Sequence, residues 1–249
     1  MFKENYNVIG IMSGTSLDGV DLAYIKFNNS NRWTYTICQS ETITYSENWL
    51  NQLKSGIYFN AVELEALNVA YTKLLASIIT VFISKNNLSE IDAICSHGHT
   101  LLHQPENGFT LQIGNLPLLH DLLNIPVVCD FRVQDVQLGG QGAPLVPVFH
   151  HALARFLGLT RKSVFLNLGG VANITLVDPS LEATAQGALL AGDTGPASAV
   201  LDDFMRQRLG QPFDNGGALA LQGNADNGIV QQSLDHPWFR QPLPKSADR

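Results

Sequence analysis

The chain has 249 residues, 45% of them hydrophobic and 15% charged, which is enough apolar material for one large core or two smaller ones. Its formal net charge of −7 argues against a nucleic-acid partner or an anionic membrane surface, because both would repel an acidic protein. The three cysteines form no CxxC pair, and the longest apolar run, residues 74–83, is shorter than the roughly 20 residues of a membrane-spanning helix. We therefore expect a globular cytoplasmic protein that binds a small molecule.

The first half of the chain predicts the element order βββαβαβ. Apolar residues 7–11, a polar glycine loop, and alternating residues at 20–27 and 33–44 predict three strands. Asn60 and Glu63 have the spacing of a capping box, and apolar residues at helical spacing follow as far as Phe82. Residues 91–95 and 126–129 are typical of strands, and residues 116–123 between them are typical of a helix.

The second half begins to repeat this design. Residues 163–168 predict a strand, residues 169–173 a glycine loop, and residues 174–177 and 187–191 two more strands, before a helix at about 196–209. No further strands are predicted after Gln222. We expect two lobes, residues 1–147 and 148–249, with the second lobe incomplete.

The loop at residues 12–20 has the chemistry of a phosphate-binding segment. Gly14 and Gly19 allow close approach, Thr15 and Ser16 offer hydroxyl groups, and Asp18 could hold Mg²⁺ directly or through water. A plain hairpin turn uses the same residue types and remains open as an alternative. The sequence contains neither a GxxxxGK[ST] loop nor a GxGxxG fingerprint, which argues against the two commonest nucleotide-binding motifs.

The glycine loop at 169–173 holds the matching position in its own strand pair. Two such loops that bracket one nucleotide are the pattern of the actin, hexokinase and Hsp70 ATPase superfamily. The chain further resembles the anhydro-N-acetylmuramic acid kinase family through a series of short motifs in matching order. These are residues 12–20, 96–100, 112–115, 130–132, 139–147, 167–173 and 193–196.

The resemblance implies an α/β, two-lobed actin/hexokinase-like fold built from duplicated ribonuclease-H-like lobes. It implies ATP and Mg²⁺ as cofactors, an anhydrosugar as substrate and a homodimer. It assigns nucleotide binding to the segment Ser13, Gly14, Thr15, Ser16, Leu17, Asp18, Gly19 and Val20, and to Gly169, Gly170 and Asn173.

The same resemblance makes Asp193 the catalytic base. In the implied reaction, Asp193 takes a proton from water, the water attacks the anomeric carbon of 1,6-anhydro-N-acetylmuramic acid, and the released bridge oxygen takes the γ-phosphoryl group of ATP. The products are N-acetylmuramic acid 6-phosphate and ADP, a step of cell-wall recycling. From the residues alone, the N-cap of the helix that follows is the favoured interpretation of Asp193, and the resemblance reverses that preference.

Several polar residues have two interpretations. His97, His99 and His103 have a spacing that allows a metal site, although hydrogen-bonded histidines at a strand end are the favoured interpretation. The resemblance places His97, Arg132 and Gln141 on the sugar side. An internal salt bridge between Arg132 and Asp135 is an alternative.

Two departures from the family pattern affect the expected function. Ala197-Ser198 stands where the family usually has Gly-Asn, beside the expected base, and relatives continue past Arg249. A sugar- or nucleotide-binding fragment without turnover is therefore the second hypothesis. A zinc hydrolase built on the histidines and a kinase for another amino sugar rank below it.

Overall fold

A computed structural model describes residues 3–14, 17–30, 32–143 and 145–247. The chain divides into two compact units, residues 1–144 and residues 145–249. The sequence places its lobe boundary close by, between residues 147 and 148.

The first unit contains one mixed sheet. Its strands are β1 (Asn5–Ser13), β2 (Val20–Asn28), β3 (Thr34–Ile43), β4 (Ala93–Gln104), β5 (Phe109–Ile113) and β6 (Val127–Val128). Their order is β3-β2-β1-β4-β5, and β6 also pairs with β4. The first three strands form an antiparallel meander, whereas β1 pairs with β4, and β4 with β6, in parallel. The parallel pairing brings the end of β1 beside the middle of β4, with Ser13 opposite His99.

Four helices accompany this sheet: α1 (Glu47–Ser55), α2 (Ala61–Lys85), α3 (Leu118–Leu123) and α4 (Val133–Gln137). The predicted capping box is confirmed at the start of α2. Asn60 accepts hydrogen bonds from the backbone of Val62 and Glu63, and the Glu63 carboxylate accepts one from the Asn60 backbone. These bonds satisfy amide groups that have no partner inside the helix and therefore fix its first residue.

The long helix α2 packs on the sheet. Its length and mean hydropathy of 1.7 would allow it to cross a membrane. However, Leu67, Tyr71, Leu75 and Ile79 belong to the same buried core cluster as strand residues from β1, β2 and β4. α2 is thus the core helix of the first unit.

The second unit contains α5 (Leu145–Phe156), β7 (Ser163–Leu168), β8 (Val171–Val177), β9 (Leu189–Pro196), α6 (Ser198–Leu209) and α7 (Asn227–Leu234). The three strands form an antiparallel sheet in the order β7-β8-β9. The described residues after α6, up to Ala247, contain short helices and no strand. The α/β fold class expected from the sequence is confirmed.

The structure differs from the sequence prediction at several elements. The strand predicted at 91–95 continues to Gln104, because its polar residues Ser96, His97 and His99 are buried in the sheet. His97 and His99 therefore lie within a strand and not at its end, whereas His103 is the residue before its last. The short helices α1 and α4 and the hairpin strand β5 are additions that the apolar pattern did not predict.

Candidate functional site

The expected phosphate segment connects β1 to β2. Ser13 is the last residue of β1, and Val20 is the first residue of β2. Thr15 and Ser16 lie outside the described residues. Leu17 donates a backbone hydrogen bond to the Gly14 carbonyl at 3.1 Å and has a φ of 61°, a conformation that a leucine rarely adopts. A strained non-glycine residue of this kind often marks a functional loop.

Gly19 is required by the close approach of the neighbouring strand. Its φ is 154°, and a Cβ atom at this position would lie 2.3 Å from the carbonyl oxygen of Ile43. Real Cβ atoms do not approach a backbone oxygen so closely. The return of the segment into β2 therefore depends on glycine.

A ring of buried hydrogen bonds holds Ser13 at the start of the segment. Its hydroxyl oxygen lies 2.5 Å from the Tyr45 hydroxyl, 3.0 Å from the Tyr71 hydroxyl and 2.9 Å from His99 Nδ1. The two tyrosine hydroxyls are 2.5 Å apart. Ser13 is 2% exposed, so its side chain forms hydrogen bonds within the protein interior.

Burial controls the protonation of this ring. It lowers the pKa of His99 to about 4, with a smaller contribution from the nearby His97. Burial also raises the pKa of Tyr45 and of Tyr71, although the hydrogen bond that each makes with Ser13 opposes this rise. All three side chains are therefore neutral at neutral pH.

Asp18 is the acidic residue of the segment, and its side chain is exposed. An exposed carboxylate beside a backbone loop has the oxygen ligands that Mg²⁺ accepts, with water filling the other positions. The residue therefore fits the metal that the sequence predicts there. The magnesium site stays a prediction.

His97 and Arg132 bind each other. Arg132 Nε donates a hydrogen bond to His97 Nε2 at 2.8 Å, and His97 Nδ1 lies 2.9 Å from the Gly98 carbonyl oxygen. Because a guanidinium only donates, His97 Nε2 must accept, and the proton of the neutral ring is on Nδ1. Burial, together with the Arg132 charge, lowers the pKa of His97 and keeps it neutral.

Arg132 and Asp135 also hold the glycine-rich stretch. Arg132 Nη1 donates to the Gly142 carbonyl oxygen at 2.7 Å, and the Gly142 backbone N–H donates to Asp135 at 2.7 Å. The side chains of Arg132 and Asp135 thus both hydrogen-bond to Gly142, and no salt bridge joins the two side chains. Gln141, immediately before Gly142, has an exposed side chain. The stretch is a loop whose shape depends on Arg132.

The three histidines of β4 have separate partners. His97 binds Arg132, His99 binds Ser13, and His103 Nδ1 lies 3.1 Å from the Thr110 hydroxyl. Among the described residues, no group of three or more His, Cys, Asp or Glu side chains is placed to hold a metal ion. The arrangement gives no support to the zinc-hydrolase hypothesis.

In the second unit, Asp193 lies within β9 and pairs with Asn173 on β8. The alternative that Asp193 caps the following helix is wrong, because α6 begins at Ser198 after Ala197. Instead, residues near the end of the chain bind it. Asp193 Oδ2 accepts hydrogen bonds from the Ala247 backbone N–H at 2.8 Å and the Ser246 hydroxyl at 3.3 Å, and the Asp193 N–H donates to the Lys245 carbonyl.

The predicted glycine loop is shorter than expected, because Val171 already belongs to β8. The carbonyl groups of Gly169 and Gly170 accept hydrogen bonds from the backbone of Ala197, Ser198 and Ala199, at 3.0 to 3.2 Å. The Ser198 hydroxyl donates to Gly169 as well, at 2.9 Å. Ala197 and Ser198, the two residues that differ from the family pattern, thus hydrogen-bond to the glycine loop at the start of α6.

Sequence reasoning missed several residues that this geometry uses. Tyr71 follows the helical spacing of a core residue, and nothing in that spacing indicates a hydroxyl bonded to Ser13. Tyr45 follows β3 without any motif. Ser246 and Ala247 lie more than 50 positions from Asp193, and only the folded chain brings them to it.

Comparison with known proteins defines the family. The profile of the anhydro-N-acetylmuramic acid kinase family matches residues 6–249. Relatives of that name include one from Rhodopseudomonas palustris strain CGA009, 43% identical over 97% of this chain and 66% of its own length. Another, from Nitrobacter winogradskyi, is 39% identical over 97% of this chain and 67% of its own length. The chain spans about two thirds of the length of these relatives.

The mixed sheet packed against a core helix makes this an α/β protein, and the architecture is consistent with the sugar-kinase fold. The chain belongs to the anhydro-N-acetylmuramic acid kinase family.

Proposed function

We propose that this chain catalyses, or forms the larger part of a protein that catalyses, the ATP-dependent ring opening and phosphorylation of 1,6-anhydro-N-acetylmuramic acid. The match to the family over residues 6–249 is the observation that carries the proposal. It includes both glycine loops and Asp193. The product, N-acetylmuramic acid 6-phosphate, belongs to cell-wall recycling.

In the first unit, the proposed role of residues 13–20 is to bind the phosphate groups of ATP. Two features support this role: Gly19 leaves no room for a side chain beside Ile43, and Ser13 is fixed from the interior. A segment whose two ends are held in place has less entropy to lose when it binds an anion. Mg²⁺ held by Asp18 would neutralise phosphate charge during transfer.

In the second unit, the proposed base is Asp193. Its Oδ2 atom is held by two donors, which leaves Oδ1 for a water molecule. The carboxylate takes a proton as the water oxygen bonds to the anomeric carbon, and the bond from that carbon to the bridge oxygen breaks. The bridge oxygen, still attached to C6, then takes the γ-phosphoryl group, and ADP leaves.

For Gly169, Gly170 and Asn173 the proposed role is also phosphate binding. The carbonyl groups of both glycines are used by the start of α6, which fixes the conformation of the loop. Asn173 stands opposite Asp193, so the proposed phosphate and base residues share two neighbouring strands.

On the sugar side, the proposed contacts are Gln141, Arg132 and His97. Gln141 is exposed, whereas Arg132 is bonded both to His97 and to the Gly142 carbonyl of the loop. We expect Gln141 to contact the sugar directly and the other two to shape the loop that carries it.

The proposed partners are ATP, the anhydrosugar and a second copy of the chain. A cytoplasmic location fits a reaction that consumes ATP. The net charge of −7 argues against nucleic-acid and membrane partners.

The test is ADP release from MgATP by the purified chain, with and without 1,6-anhydro-N-acetylmuramic acid. Release that requires the sugar and yields a sugar 6-phosphate supports the proposal. Binding of MgATP or the sugar by a folded chain without turnover would favour the second hypothesis, a binding fragment. Equal release with and without sugar would contradict the assigned substrate.

A further inference from the structure

The buried ring lies next to the proposed phosphate segment, and the protons that its hydrogen bonds need can be counted. Four contacts of hydrogen-bond length join Ser13, Tyr45, Tyr71 and His99. Three of these contacts form a closed triangle of hydroxyl groups, and the fourth joins Ser13 to His99 Nδ1. Each contact needs one proton, and the three hydroxyl groups supply three.

The fourth proton must come from His99. With Tyr71 donating to Ser13, Ser13 to Tyr45 and Tyr45 to Tyr71, the triangle uses every hydroxyl proton. A His99 ring with its proton on Nδ1 then donates to the second lone pair of Ser13. Because Tyr71 is the donor to Ser13, the opposite tautomer would make Ser13 donate to His99 and leave one of the two 2.5 Å contacts without a proton, a costly arrangement in a buried site.

We propose that His99, as the neutral Nδ1–H tautomer, acts with Tyr45 and Tyr71 as a set of positioning residues that hold Ser13 and thereby fix the phosphate segment. This inference rests on the proposed function. It assigns a role to three residues that are not among the proposed phosphate, base or sugar contacts.

The contacts of Ser13 explain how the ring acts on the segment. Ser13 accepts two hydrogen bonds and donates one, so its hydroxyl has no capacity left for a ligand. The ring therefore connects the end of β1 to β4 through His99, to α2 through Tyr71 and to the residues before α1 through Tyr45. Gly14 follows directly, and its carbonyl accepts the Leu17 hydrogen bond that shapes the segment.

The first test needs no ligand. In the ¹⁵N-labelled chain at pH 7, the His99 resonances report which ring nitrogen carries the proton. We expect the proton on Nδ1 and an unprotonated Nε2. A proton on Nε2 would overturn the assignment, and this result does not depend on nucleotide binding.

The second test removes single members of the ring. We expect Tyr71→Phe to speed amide exchange at Leu17 by roughly fivefold to tenfold, the factor that corresponds to one net hydrogen bond. Tyr24→Phe is the matched control, because Tyr24 is equally a core tyrosine but stands outside the ring. Equal exchange rates in the wild type and Tyr71→Phe would overturn the positioning role.

Conservative rescue separates positioning from simple packing. His99→Asn retains an N–H donor near the position of Nδ1, whereas His99→Leu does not. We expect Leu17 exchange in His99→Asn within about twofold of the wild type, and roughly fivefold to tenfold faster in His99→Leu. Similar exchange in both variants would contradict the role of the donor.

Binding of MgADP links the ring to function. We expect Tyr71→Phe to raise the Kd by about fivefold and Tyr24→Phe to leave it within about twofold. A wild-type chain that binds no MgADP would defeat the proposed function, whereas the tautomer and exchange results would still decide whether the ring holds the segment. Equal Kd values for MgADP in the wild type and Tyr71→Phe would show that the ring does not affect nucleotide binding.

Discussion

The two units hold their candidate functional residues in different ways. In the first unit, a buried ring of hydrogen bonds holds Ser13, the first residue of the proposed phosphate segment, from the interior. In the second unit, Asp193 receives hydrogen bonds from Ser246 and Ala247, which follow it by more than 50 residues and lie near the surface. The start of the proposed binding segment is thus held by the core, whereas the proposed base Asp193 lies at a more open position.

The two units also differ in how far their apolar side chains are buried. The large core cluster lies in the first unit, between α2 and the sheet. In the second unit, large apolar side chains such as Leu166, Leu168 and Phe204 are more than half exposed. We therefore expect changes in the first unit to act strongly on stability, and changes at Asp193 to act mainly on turnover.

The largest expected effect is the loss of turnover in Asp193→Asn. Removal of a general base lowers the rate by about 10² to 10⁴. We expect this loss in sugar-dependent ADP release while the unfolding midpoint stays close to that of the wild type. Asp203→Asn on α6 is the control, because Asp203 is exposed and pairs only with Arg206 among the described contacts. Activity within tenfold of the wild type would exclude Asp193 as the base.

The next effect is on the stability of the first unit in Gly19→Ala. The added Cβ atom would meet the Ile43 carbonyl at 2.3 Å. Overpacking of this kind costs about 1–3 kcal/mol, and the backbone strain adds to it. Chemical denaturation measures the loss.

Gly108→Ala separates the two causes of that loss. Gly108 has a φ of 69° and no atom within 4 Å of an added Cβ, so its substitution adds only backbone strain. We expect it to cost about 1 kcal/mol. An equal loss in both variants would contradict the role of the Ile43 contact.

Acidification should destabilise the first unit through His99. The folded-state pKa of about 4 lies below the unfolded value near 6.5, so the unfolded chain binds more protons between these values. Stability is therefore full above about pH 6.5 and falls as the pH decreases toward 4, by about 2 kcal/mol at pH 5. His97, whose pKa is also lowered, adds in the same direction.

Urea unfolding at pH 7.5 and pH 5 tests this effect. In a Trp238→Phe background the remaining tryptophans, Trp33 and Trp49, report on the first unit. We expect His99→Asn to reduce the pH dependence. If the free energy of unfolding falls by the same amount between pH 7.5 and pH 5 with and without His99, other groups cause the pH dependence.

The smallest effect concerns the segment that holds Asp193. In Gly192→Ala the added Cβ atom would lie 2.7 Å from Leu243 and 2.9 Å from the Lys245 backbone nitrogen. The segment is partly exposed and can shift, so we expect a cost of about 1 kcal/mol and a lower kcat with little change in KM. Gly223→Ala, with its nearest atom at 3.5 Å, is the control. An unchanged kcat in Gly192→Ala would show that residues 243–247 do not position Asp193 for turnover.

The sequence predicted what short-range patterns encode. The capping box of Asn60 and Glu63, the meander and the positions of both glycine loops follow from local spacing and turn chemistry, and the structure has these elements. The extension of β4 did not follow, because the polar side chains of His97 and His99 are paired with Arg132 and Ser13, which are distant in the sequence. The same holds for the environment of Asp193, which depends on residues 245–247.

The measurement that tests the proposed function most directly is the reaction in H₂¹⁸O with MgATP and 1,6-anhydro-N-acetylmuramic acid. The proposed chemistry predicts ADP, one ¹⁸O atom at the anomeric hydroxyl of the product, and an unlabelled phosphoryl group on the C6 oxygen. Label in the phosphate, or no sugar phosphate from a folded chain at stoichiometric concentration, would contradict it.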